Sequence, residues 1–153
     1  MTQGVQREAL APDETRSDTT KAGEQPRATL KVLIVEDMFL NSEFLRIWIE
    51  ALGHEVCGVA VSVETACTLA RAHRPDVILM DLLLEGEGDG VDAATRIRRT
   101  QAPPIIFITA CSEQKSVERI LGADPFRVLP KPVNPQELFD ALRAAGRTTT
   151  VGA

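Results

Sequence analysis

Five short apolar runs alternate with five stretches of helical periodicity, and this alternation constrains the fold more than any other property of the chain. The runs occupy residues 30–35, 55–60, 76–80, 105–108 and 126–129. Two of them, Val77-Ile78-Leu79-Met80 and Ile105-Ile106-Phe107-Ile108, carry no polar residue on either side of a pleat. A strand of that kind has to be covered on both faces, which is the condition of a parallel sheet between helical layers. The intervening segments supply the helices. Leu40, Phe44, Trp48 and Leu52 recur every fourth residue as an apolar stripe, and Gly53 closes that helix. Ser62 caps a second helix carrying Ala66, Leu69 and Ala70, and Pro75 marks its end. Further helices are expected over 91–99 and 112–121. Asn134-Pro135-Gln136-Glu137 opens a last one, through about residue 145, with an N-cap, a first-turn proline and an acid at the third position. Alternation with right-handed crossovers predicts an α/β fold, a doubly wound five-stranded parallel sheet with helices on both faces.

The rest of the chain bounds this domain. Residues 1–29 mix Thr, Glu, Asp, Arg, Gln, Gly and Pro with few large aliphatics, too little apolar surface to offset the entropy of ordering, and are expected to be a disordered arm. The domain is placed at 30–146 and a short C-terminal tail at 147–153. No apolar stretch approaches the roughly 18 residues of a membrane span, and the N-terminus has no secretory pattern, so a cytoplasmic protein without membrane insertion is expected. A net charge of -5 with no basic stripe argues against direct DNA binding. Cys57, Cys67 and Cys111 lack metal-ligand spacing, and His54 and His73 stand beside turn residues without partner ligands.

Polar residues follow the apolar runs in a telling order: Glu36 and Asp37 after the first, Asp81 after the third, Thr109 after the fourth and Lys131 after the fifth. Ligands of open parallel sheets bind along the carboxyl edge, where these residues emerge. In a doubly wound sheet the first and third strands are neighbours, so the three carboxylates converge and repel unless a cation intervenes. Oxygen donors from carboxylates suit Mg2+ and not zinc. Asp81 has the character of a nucleophile toward phosphorus, with Lys131 supplying positive charge and Thr109 a hydroxyl.

With these residues the chain resembles the receiver domain of two-component response regulators, the fold of the chemotaxis receiver, from about residue 30 to 145. The matching motifs are Val35-Glu36-Asp37, Ile78-Leu79-Met80-Asp81, Ile108-Thr109-Ala110 and Lys131-Pro132. The resemblance implies a flavodoxin-like strand order 2-1-3-4-5. It implies Mg2+ held by Glu36, Asp37, Asp81 and the main-chain carbonyl of Leu83, and a phosphoryl group accepted on Asp81. Lys131 would pair with Asp81, Thr109 would bond the phosphoryl group, and the Lys131–Pro132 peptide would be cis. The phosphodonor would be a histidine kinase or a histidine phosphotransfer protein, and the face built from residues 112–145 would contact a downstream protein. No output module is expected after the last helix, so a stand-alone receiver is the expected type.

Three features depart from the usual pattern. Glu85 stands where the family places a proline, in a loop Glu85-Gly86-Glu87-Gly88-Asp89-Gly90 that looks one residue longer. Val128 replaces the customary aromatic three residues before the lysine. Phe126, two residues earlier, is expected to face the same side, and either Phe126 or a backbone shift of the helix after Thr109 is expected to serve as the switch instead. The resemblance places the side chains of Leu83 and Cys111 beside the path of a hydrolytic water, which neither can orient, and this predicts a long-lived aspartyl phosphate. Two competing readings are a degenerate receiver serving as a scaffold and a magnesium-dependent aspartyl-phosphate phosphatase of the haloacid dehalogenase type. The latter lacks its second aspartate, because Leu83 occupies that place.

Overall fold

The computed structural model describes residues 29–152, and the N-terminal arm expected at 1–29 lies outside the described residues apart from Thr29. Five strands, β1 (Lys31–Val35), β2 (Glu55–Ala60), β3 (Val77–Met80), β4 (Ile105–Thr109) and β5 (Arg127–Pro130), alternate with five helices. The helices are α1 (Phe39–Ala51), α2 (Val63–His73), α3 (Gly90–Ile97), α4 (Gln114–Gly122) and α5 (Pro135–Gly152). All strand pairs are parallel and the order is β2-β1-β3-β4-β5, the predicted doubly wound arrangement. The central strands are buried throughout, as their unbroken apolar sequences require.

Alternate residues of each strand feed two cores. Leu33, Val35, Ile78, Met80, Ile105 and Phe107 pack against α2, α3 and Ile120 of α4. Val32, Ile34, Leu79, Ile106, Ile108 and Leu129 pack against α1 and α5. The helix starts use the chemistry their sequences offer. The Ser62 hydroxyl accepts the Thr65 N–H at 3.1 Å, and Asn134 Oδ1 accepts the N–H groups of Gln136 and Glu137. Gly53 ends α1 with φ +89°, a conformation that L side chains resist. No described helix is long and apolar enough to cross a membrane.

Three expectations need correction. The Leu40–Phe44–Trp48–Leu52 stripe does not form the inner face of α1, where Ser42, Leu45 and Ile49 are buried. Each four-residue step overshoots a 3.6-residue turn by about 40°, so the stripe winds around the helix. Leu40 and Phe44 end up exposed, while Trp48 and Leu52 reach the core edge. The expected tail at 147–153 is also largely helical, because α5 runs on to Gly152. Nothing after Ala145 forces a stop: Gly146 lies against Leu30, and the Thr148 and Thr149 hydroxyls donate to the Ala144 and Ala145 carbonyls. Finally, Phe126 precedes β5 and packs into the core that contains Leu129, whereas Val128 is exposed. Val128 and Leu129 alternate across the pleat, so Phe126 and Val128 do not share a side. The alternation cannot be carried back beyond the first strand residue, Arg127.

Leu142 is fully buried between α5 and the sheet. Leu142→Ala is expected to lower unfolding stability by about 2–5 kcal/mol in a urea titration.

Candidate phosphoryl and metal site

Val35 pairs with Met80 at the ends of β1 and β3, so the residues that follow, Glu36 and Asp81, emerge side by side. The Asp81 N–H donates to the Val35 carbonyl at 2.9 Å, which carries the pairing one residue beyond the strand. On the other side Thr109 pairs with Pro130, and the Lys131 N–H donates to the Thr109 carbonyl at 3.0 Å. Four parallel strands thus deliver Glu36, Asp81, Thr109 and Lys131 to one edge. Glu36 is 3% exposed, Asp81 7% and Thr109 6%, unusual burial for two acids.

That burial is compensated by a single cation and by backbone donors. Lys131 Nζ lies 2.9 Å from Glu36 Oε1 and 2.8 Å from Asp81 Oδ2. The Met38 N–H donates to Glu36 Oε2 at 3.1 Å, and the Leu82 N–H to Asp81 Oδ1 at 2.7 Å. Burial pushes the Glu36 carboxyl above its ordinary value of 4.5, with Lys131 and the Met38 N–H opposing that shift and Asp81 adding to it. Burial alone would lower the Lys131 ammonium. Its hydrogen bonds to Asp81 and Glu36 outweigh that and leave it above its ordinary 10.5. Asp37 completes the acids: oxygens of Glu36, Asp37 and Asp81 lie within 4.8 Å of one another. One ammonium against three carboxylates leaves the cluster under-neutralised. The donor set is wholly oxygen, and it fits a hard divalent cation.

Thr109 Oγ1 accepts the Cys111 N–H at 3.1 Å and so keeps its own proton for another acceptor. Cys111 is half-buried at the edge of the α2–α3 core. The Leu83 side chain is 63% exposed. The Lys131–Pro132 peptide is cis, as expected. Phe126 packs against the α1–α5 core, and Val128 is exposed. A cleft of about 530 Å³ opens beside Lys131, between α1 and the β5–α5 loop, with Phe44, Trp48, Ile108 and Val133 in its walls.

The loop after β3 has an ordered path. The Glu85 N–H donates to the Val61 carbonyl at 3.0 Å, which ties the loop to the start of α2. Gly86 and Gly88 turn the chain with φ +79° and +85°. Gly90, which the motif places at the end of this loop without assigning it a task, is a positioning residue. Its N–H donates to the Leu82 carbonyl at 2.7 Å, and a Cβ here would land on the Asp81 carbonyl. The Met38 and Leu82 N–H groups were invisible in the sequence, because a main-chain donor has no letter of its own.

Residues 32–143 match the family described as the response regulator receiver domain. The chain belongs to that family. The receiver is 35% identical over 115 residues to the transcriptional regulatory protein PdtaR of Mycobacterium tuberculosis, a match covering 75% of this chain and 56% of the relative. It is 34% identical over 129 residues to the response regulator protein VraR of Staphylococcus aureus, covering 80% and 59%. The chain therefore spans just over half the length of these curated relatives. Among solved structures, the signal receiver domain of a modulated diguanylate cyclase from Desulfovibrio desulfuricans G20 aligns with TM-score 0.77 and 36% identity, over 82% of this chain and 100% of that one. The receiver domain of PhyR from Erythrobacter litoralis aligns with TM-score 0.68 and 30% identity, over 77% and 90%. Family membership makes the domain a signalling module of two-component systems and removes the haloacid dehalogenase type as a description of its fold.

Two substitutions test the geometry. Gly90→Ala is expected to cost about 1–3 kcal/mol in chemical denaturation, because the added carbon meets the Asp81 backbone, which has to move. Lys131→Ala leaves two buried carboxylates without their cation and is expected to cost about 3 kcal/mol by the same measurement.

Proposed function

We propose that this receiver accepts a phosphoryl group on Asp81 from a histidine kinase or a histidine phosphotransfer protein, and that the modified domain switches its protein contacts. The observation that carries this reading is the Lys131 ammonium held by both buried acids, Glu36 and Asp81, at the carboxyl edge. Glu36, Asp37, Asp81 and the main-chain carbonyl of Leu83 would hold Mg2+. When bound, the ion supplies positive charge that draws carboxylate and phosphoryl oxygens together despite their repulsion.

The chain's own groups do the rest. The Leu82 N–H and Lys131 fix the Asp81 carboxylate, so that one oxygen meets phosphorus while the other stays held. As the new O–P bond forms, the P–N bond to the donor imidazole breaks, and the imidazole leaves with the electron pair and takes up a proton. Lys131 then pairs with a phosphoryl oxygen, and the Thr109 hydroxyl turns its proton toward another. Charge-assisted hydrogen bonds contribute about 1.5–3 kcal/mol each. Two of them approach the roughly 5.5 kcal/mol that reverses a 1:99 equilibrium. Movement at Thr109 reaches the face built from α4, β5 and α5, where Val117, Leu121 and Val128 are exposed for a downstream protein.

Incubation with Mg2+ and acetyl phosphate, read by intact mass, tests the acceptor. A single phosphoryl addition that Asp81→Asn abolishes is the expected result. No addition would favour a scaffold, and release of phosphate without addition would favour a phosphatase. The apolar Leu83 and the half-buried Cys111 give a hydrolytic water nothing to orient it, so the modified state is expected to persist. Leu83→Asn should shorten its life several-fold in a phosphate-release assay, and loss of the parent's phosphoryl group within seconds would contradict this account.

A further inference from the structure

The helix α4 has little to hold it. Among its residues only Ile120 is buried, and all the others except half-buried Ser116 face solvent. Its N-cap, Glu113, makes no side-chain capping bond. Besides Ile120, side-chain contacts with the two ends of α3 hold the C-terminal part of α4. At the upper end, Arg119 of α4 pairs with Asp89 through both guanidinium nitrogens, and its Nη2 lies 3.5 Å from Asp92 Oδ1. Asp89 and Asp92 are the two members of the capping box that opens α3: Asp89 Oδ1 accepts the Val91 and Asp92 N–H groups, and Asp92 Oδ2 accepts the Asp89 N–H at 2.8 Å. At the lower end, Arg98, the C-cap of α3, donates to the Ala123 carbonyl and, at 2.9 Å, to the Asp124 carbonyl, the groups where α4 ends.

The upper contact is made by Asp89, the last residue of the loop between β3 and α3. Gly90 follows Asp89 directly, donates to the Leu82 carbonyl and packs without a side chain on the Asp81 carbonyl. The segment that leads into α4 begins at the other side of the same site, with the Cys111 N–H on the Thr109 hydroxyl. Helix α4 is therefore suspended between two attachments to the phosphoryl site, one through Thr109 and one through Asp89.

We infer that Arg119 and Arg98 form a two-ended arginine clasp that holds α4 against α3 in the resting domain, and that the strength of the Arg119–Asp89–Asp92 contact sets how readily α4, with exposed Val117 and Leu121, is released. A guanidinium fork spanning both acids of a capping box resists lateral sliding in a way that a point charge does not. Coupling of that release to the state of Asp81 rests on the function proposed above; the clasp itself does not.

Hydrogen exchange of the full chain, followed by mass spectrometry without any phosphodonor, tests the clasp directly. Arg119→Gln is expected to accelerate exchange across residues 112–124 about fivefold, the size of a partly exposed ion-pair contribution. Amides of β1, β3 and β4 should keep the parent rate. Arg98→Gln should act mainly on residues 120–124, and Arg119→Lys should fall between parent and Arg119→Gln. Parent-like exchange in α4 of both glutamine variants would overturn the inference. So would an acceleration spread evenly over sheet and helices, which would mark a general loss of stability. Failure of acetyl phosphate to label Asp81 would remove the proposed function and leave this comparison standing.

Discussion

The structure turns on one buried charge arrangement, the Lys131 ammonium between Glu36 and Asp81. Two carboxylates at 3% and 7% exposure are costly to desolvate, and a single lysine with two main-chain donors offsets only part of that cost. Burial, with the Asp81 charge adding to it, holds the Glu36 carboxyl above its ordinary value. A site left under-neutralised in this way is predisposed to take up positive charge. Stability and chemistry at this edge are therefore in tension, and the same lysine serves both.

Everything around the cluster contributes to aiming it. Parallel pairing sets Glu36 beside Asp81 and Thr109 beside Lys131, so four strands are needed to assemble one site. The β3–α3 loop is shaped by Gly86, Gly88 and Gly90, the first two for their backbone conformation and the last because backbone passes where its side chain would be. Helix α4 is loosely packed by comparison, with Ile120 its one buried residue. A helix with so little buried apolar surface opens at a lower free-energy cost than the strands of the core.

Much of this was legible from one-dimensional pattern. Val77-Ile78-Leu79-Met80 has to be a doubly covered strand, Ser62 and Asn134 have to cap, and the acids, hydroxyl and lysine fall where strand ends have to be. The α1 stripe misled because spacing by four follows the helix only approximately, and the buried face belongs to Leu45 and Ile49. The tail misled because threonines lower helix propensity without forbidding a helix, and α5 carries on through Thr148 and Thr149. Phe126 misled because strand alternation was extended past the point where the strand begins.

The sequence by itself determined the fold class, the strand order through family resemblance, and the identities of the groups at the site, because burial period and residue chemistry are local and additive along the chain. Only the tertiary structure decided which oxygen of Asp81 Lys131 holds, that Glu36 shares that lysine, that Gly90 must be a glycine, and that Arg119 reaches the α3 capping box. Those relations join residues between nine and ninety-five positions apart through specific atoms, and distance in space, unlike hydrophobic period, leaves no mark on neighbouring letters.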